Sequence, residues 1–114
     1  MRVVNISKDT VLADKAEIAK TFLARLIGLL NRQSLSKGEA LILMPSNCIH
    51  SLFMRFTIDA VFLNKEGKVI KALPSFKPFR FSPILFNASL TIELPENTLQ
   101  LTRTKPGDII KITN

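Results

Sequence analysis

One cysteine and one histidine, Cys48 and His50, are all that 114 residues offer of those two types. A single thiol closes no internal disulfide, so stability has to come from a packed core, for which this length suffices. No segment approaches the roughly 20 apolar residues of a membrane-spanning helix. The opening MRVVNISKDT lacks the apolar stretch of a secretory signal. The expectation is a soluble protein without a transmembrane segment, with the cytoplasm as the default compartment. Zinc-finger spacing, glycine-aromatic nucleic-acid motifs and a strand-turn-helix serine motif are all missing. So are internal repeats, low-complexity tracts and linkers, and a single domain over 1–114 is expected.

What the chain does have is apolar content. Hydrophobic residues make up 46% and charged residues 22%, which argues for a folded domain and against disorder. The net charge of +7 invites an anionic partner. The basic residues are scattered, however. The densest group, Lys65, Lys68, Lys71, Lys77 and Arg80, interleaves with Phe76, Phe79 and Phe81, and basic plus stacking groups are what single-stranded nucleic acid requires. Nucleic-acid binding therefore stays open as a third reading, behind the solvated-lysine explanation.

The chain centres on Cys48 to Lys71. Apolar flanks around Asn64-Lys65-Glu66-Gly67-Lys68 predict an antiparallel hairpin, since Asn and Gly tolerate the positive φ of its turn. Ile49 to Phe56 reads as a further strand. Period-two geometry would then put Cys48, His50, Leu52, Met54 and Phe56 on one buried face. Asp59 sits in an almost continuous apolar run and needs a partner, for which Arg55 or Arg25 is expected.

Elsewhere, strands are expected over Arg2 to Ile6, Thr10 to Ala13 with a kink at Asp14 and Lys15, Ala40 to Met44, Ser89 to Leu94 and Ile109 to Ile112. Phe22, Leu23, Leu26, Leu29 and Leu30 recur at helical spacing after Thr21, and Asn97 is placed to cap one helical turn. The fold class is α+β and mostly β. A small barrel-like antiparallel or mixed sheet is expected, with one short helix in the N-terminal third and one helical turn near the C-terminus. Pro74, Pro78 and Pro83 deny the stretch to Asn87 a regular ladder, yet it is rich in Phe, Ile and Leu. Such a loop either folds over the core or offers a greasy surface to a partner.

These residues carry a resemblance over nearly the whole chain. Gly28-Leu29-Leu30, Gly38-Glu39-Ala40-Leu41 and the long Ile49 to Leu63 run, followed by Gly67, lead on to Lys77-Pro78-Phe79-Arg80, Glu93-Leu94-Pro95 and Gly107-Asp108. In this pattern the chain resembles the small bacterial and archaeal family called domain of unknown function 192. Thr57 stands where that family usually has proline, Phe79 where tryptophan is common, and Asn97 where glycine follows the leucine-proline turn. The resemblance implies a compact, mostly β, barrel-like domain and no established activity. Some relatives in that family are encoded beside secretion or pilus-assembly genes, so the resemblance implies surroundings connected with secretion or cell-envelope assembly.

The first functional reading is a non-enzymatic binding or accessory module. It would take a protein partner through the loop Pro74 to Phe86, with Phe76, Lys77, Phe79, Arg80 and Phe81 as the binding residues. The alternative is an enzyme whose cleft gathers His50, Asp59 and Glu93, because buried ionisable groups near a cleft are where pKa values shift. No cofactor is expected. No metal is expected either, since ligands spaced along one strand sit too far apart for a single ion. Cys48 and His50 are the nearest thing to a ligand pair.

Overall fold

The computed structural model describes residues 1–21, 24, 27, 29–30 and 32–114 and is built on two open sheets. In chain order the strands are β1 (Arg2–Asn5), β2 (Thr10–Ala13), β3 (Lys15–Ala19), β4 (Glu39–Leu43), β5 (Ile58–Leu63), β6 (Val69–Phe76), β7 (Leu90–Pro95) and β8 (Ile110–Thr113), with helix α1 (Thr98–Thr102) between β7 and β8. The smaller sheet has the order β2-β1-β8 and is antiparallel. The larger has the order β3-β4-β7-β5-β6 and is mixed, because β3 runs parallel to β4. The kink foreseen at Asp14 is where the chain passes from β2 in one sheet to β3 in the other.

The mostly β, α+β reading holds, but the barrel does not. Closure would need the edge strands β3 and β6 to pair, and they remain edges. Strand β6 is unsuited to pairing on both sides. Pro74 lacks an amide hydrogen, Ser75 takes a left-handed φ of 51°, and the register with β5 slips between Ile58 and Ala60. Among the described residues α1 is the one helix described without a break; Ala24 and Ile27 are also helical. The helix expected after Thr21 falls on a stretch in which residues 22, 23, 25, 26, 28 and 31 lie outside those described.

The five-stranded sheet is buried on both faces, which is why β5 is apolar at nearly every position instead of alternating. One face packs against the small sheet and α1 through Val3, Leu12, Ile42, Val61, Ile92, Leu94 and Leu99. The other carries a second cluster with Leu43, Ile58, Ala60, Phe62 and Phe76, closed by Ile49, Met54 and Leu85. The β5–β6 hairpin ties the two sheets together. Asn64 Oδ1 accepts the amides of Glu66 and Lys68 at 3.1 and 2.9 Å, and Gly67 turns at φ 81°. The Ile110 amide of β8 then donates to the Gly67 carbonyl at 2.8 Å. A Cβ at Gly67 would meet the Ile110 carbonyl oxygen at 2.7 Å, so both the φ and the close approach require glycine.

Candidate docking surface

The stretch expected to be a buried strand is not one. Residues 48–57 contain a single isolated bridge, His50 to Phe81, and a turn at Leu52-Phe53. Phe53 adopts φ 64°, which breaks the period-two alternation. Cys48 is exposed and His50 half-buried, so the thiol and the imidazole are not the packing material the extended reading made of them. Inward contacts come from Ile49, Ser51 and Met54.

Ser51 is the residue that sequence reasoning passed over. It has no solvent exposure and organises two segments of chain. Its amide donates to the Arg80 carbonyl at 2.9 Å, and its carbonyl accepts the amides of Phe79 and Met54 at 2.9 and 3.1 Å. Its hydroxyl donates to the Lys77 carbonyl and accepts the Arg80 amide at 2.9 Å. Farther along, Ile49 and Ser82 exchange bonds, and the Leu85 amide donates to the Asn47 carbonyl. Residues 46–57 and 77–89 thus form a two-segment ribbon over the second face of the sheet, its irregular backbone satisfied by cross-links where a ladder would otherwise do the work. The only advance signal was one small polar residue among bulky apolar neighbours. Replacing Ser51 by alanine would orphan the Arg80 amide and the Lys77 carbonyl, at a cost of about 2–3 kcal/mol. Hydrogen exchange should then speed up at Arg80 and Ser82 while β5 and β7 stay protected; unchanged exchange there would remove Ser51 as the organiser.

The ribbon has two faces. Inward, Ile49, Met54 and Leu85 seal the core, and Phe76 at 9% exposure joins them, which takes it out of any surface. Outward, Phe53, Phe79, Phe81, Ile84 and Phe86 are all more than half exposed, with Phe86 at 86%. The Phe53 and Phe79 rings meet edge to face at 5.7 Å, and the His50 and Phe81 rings lie 6.4 Å apart. Phe79, like Phe53, holds a left-handed φ, here 61°. The Arg80 guanidinium donates back to the Phe79 carbonyl at 3.3 Å, which keeps a cation at the foot of that ring.

The expected catalytic trio is not brought together. Asp59 pairs with Leu94 and Ala60 with Glu93 across β5 and β7, so the two carboxyl groups leave opposite faces of the sheet. Asp59 is fully buried and holds backbone: Oδ1 accepts the Ser75 amide and Oδ2 the Leu99 amide, both at 2.9 Å. Arg55, named beforehand as its partner, is exposed, and Arg25 lies outside the described residues. Asn97 stands at the N-cap of α1 with φ 77° but makes no side-chain cap, so Asp59 caps the helix from another strand. Glu93 points into the second core beside Ala60, and desolvation pushes its carboxyl up to about 8. His50 belongs to the ribbon, where Nδ1 accepts the Leu52 amide at 3.2 Å. Among the described residues, no three His, Cys, Asp or Glu side chains are grouped to hold a metal, and no helix is long and apolar enough to cross a membrane.

A second polar node, also unforeseen, joins the chain ends. Asp108 accepts bonds from Asn5 Nδ2, Lys8 Nζ and the Lys105 amide. Burial pushes its carboxyl up, but the bonds from Lys8, Asn5 and Lys105 outweigh that and hold it down at about 2.

A two-sheet α+β domain with an aromatic ribbon has relatives. The chain belongs to the domain of unknown function 192 family, an uncharacterized family whose pattern it matches over residues 3–112. It is 30% identical over 115 residues to a UPF0127 protein of Pyrococcus abyssi, covering 96% of this chain and 95% of that one. It is 27% identical over 111 residues to a UPF0127 protein of Pyrococcus furiosus, covering 93% of each. In fold it is similar to a crystal structure of a protein of unknown function from Novosphingobium aromaticivorans. That match has a TM-score of 0.83 at 19% identity, over 97% of this chain and 82% of the other.

Proposed function

We propose that this protein is a non-enzymatic binding module that docks its partner on the outer face of the ribbon. The observation that carries the reading is the display of five large apolar side chains by a backbone locked through the buried Ser51. Soluble proteins rarely leave so many large apolar groups together in water without an interaction to cover them. Asp59 and Glu93 lie on opposite sides of a sheet, which leaves an acid-base pair without a shared substrate position. The surface is Phe53, Phe79, Phe81, Ile84 and Phe86 with Lys77 and Arg80 beside them. It shares Phe79, Phe81, Lys77 and Arg80 with the loop expected from sequence.

A photo-crosslinking phenylalanine analogue placed at Phe81 in the producing cell tests this. The control site is Ile6, 54% exposed on a distant turn. A defined adduct should form from Phe81 and not from Ile6. Equal yields from the two sites would overturn the proposal.

A further inference from the structure

We infer that the counterpart of the ribbon is the surface of an anionic lipid bilayer, an assignment that rests on the binding reading above. Three observations bear on it: charge, shape and the conformations of the displayed rings.

Residues 46–57 and 77–89 contain Arg55, Lys77 and Arg80 and no Asp or Glu at all, in a chain of net charge +7. Glu66 borders Phe86, but beside Lys65, so the surface is apolar with a cationic excess, which suits a counterpart that is apolar within and negative at its boundary. Anionic lipid supplies both at once. A second copy of the chain would set these cations against their own equivalents.

Shape points the same way. Phe53 and Phe81 are each 72% exposed, so those rings project into water where a flat, yielding apolar phase can receive them. Single-stranded nucleic acid would need open ring faces for stacking. Phe53 and Phe79 are instead engaged with each other edge to face, and Ile84 has no ring.

The backbone adds a third observation. Phe53 and Phe79 occupy left-handed φ values of 64° and 61°, where a bulky residue is strained and asparagine would be at ease. These rings, more than half exposed and touching chiefly each other, gain little from the core, so what the chain obtains at those two positions is a projecting pair of rings. Each phenylalanine carried out of water favours partitioning by about tenfold or more. Each cation near an anionic surface adds about fivefold. Together they suffice for reversible attachment with no spanning segment.

The test is co-sedimentation of the full chain with vesicles of phosphatidylcholine alone and of phosphatidylcholine mixed with phosphatidylglycerol. Binding should appear with phosphatidylglycerol and weaken as sodium chloride is added. The variant Phe53→Asn, Phe79→Asn, Phe81→Ser should bind at least about 100-fold more weakly. Its melting temperature should be unchanged or higher, because two strained positions are relieved and no core contact is lost. Absence of binding to the mixed vesicles would overturn the lipid assignment, as would binding that the triple variant retains. If in that case the crosslinker at Phe81 still yields a protein adduct, the module reading stands and only its partner changes. If it yields none, both fall.

Discussion

Replacing Asp59 by alanine is expected to lower the melting temperature by roughly 10–20 °C. The carboxylate is the sole side-chain acceptor for two backbone amides, Ser75 in the distorted edge strand β6 and Leu99 in the first turn of α1. The Leu99 amide is not easily satisfied otherwise, because the α1 N-cap has no side-chain bond of its own and Leu99 is 4% exposed, whereas Ser75 is exposed and its amide can turn to water. Two charge-assisted bonds and one orphaned donor, the Leu99 amide, together amount to about 3–5 kcal/mol. Asp59→Asn should also be costly, because an amide nitrogen would face one of the two N–H donors. A thermal melt within a few degrees of the wild type would show that β6 and α1 are held by other means.

The second large effect is a pH dependence that vanishes in Glu93→Gln. The folded-state carboxyl titrates near 8, against 4.5 for the ordinary group, because burial in the second core disfavours its charge. Between those values the native state keeps a proton that the unfolded chain has lost, so stability falls as pH rises through the window and levels off above it. The full swing is on the order of 4–5 kcal/mol at most. The glutamine variant cannot ionise. Its melting temperature should match the wild type near pH 5 and exceed it increasingly toward pH 8, and a gap that stays constant with pH would refute the buried-acid account. Asp108 acts in the opposite sense and elsewhere on the scale. Its folded value lies near 2, below the ordinary 3.8, so its contribution is present above about pH 4 and is lost as pH falls toward 2.

Much of this architecture could be read before any coordinates. The hairpin at Asn64 to Lys68 announces itself because Asn and Gly are the residues its turn demands, and the kink at Asp14 because strand-like alternation stops and resumes there. Local chemistry decided both. The stretch from Cys48 to Phe56 misled for a definable reason. Its apolar content is that of a strand, but its hydrogen bonds go to a segment some 30 residues later, through Ser51. Nothing in the spacing of Ile49, Met54 and Phe56 distinguishes inward contacts made by a strand from inward contacts made by an irregular ribbon. Phe76 and Phe79 illustrate the same limit: three positions apart and chemically identical, one is core and the other surface.

The sequence by itself determined the class of fold, the family, the excess of positive charge and the freedom from acids of the two ribbon segments, because composition, turn chemistry and charge are properties of residues taken locally. Only the tertiary structure decided that the sheets stay open, that Asp59 and Glu93 face apart, and which phenylalanines reach solvent. Those outcomes depend on pairing register and on bonds between distant segments, and a one-residue change of register reverses the face on which every side chain of a strand appears.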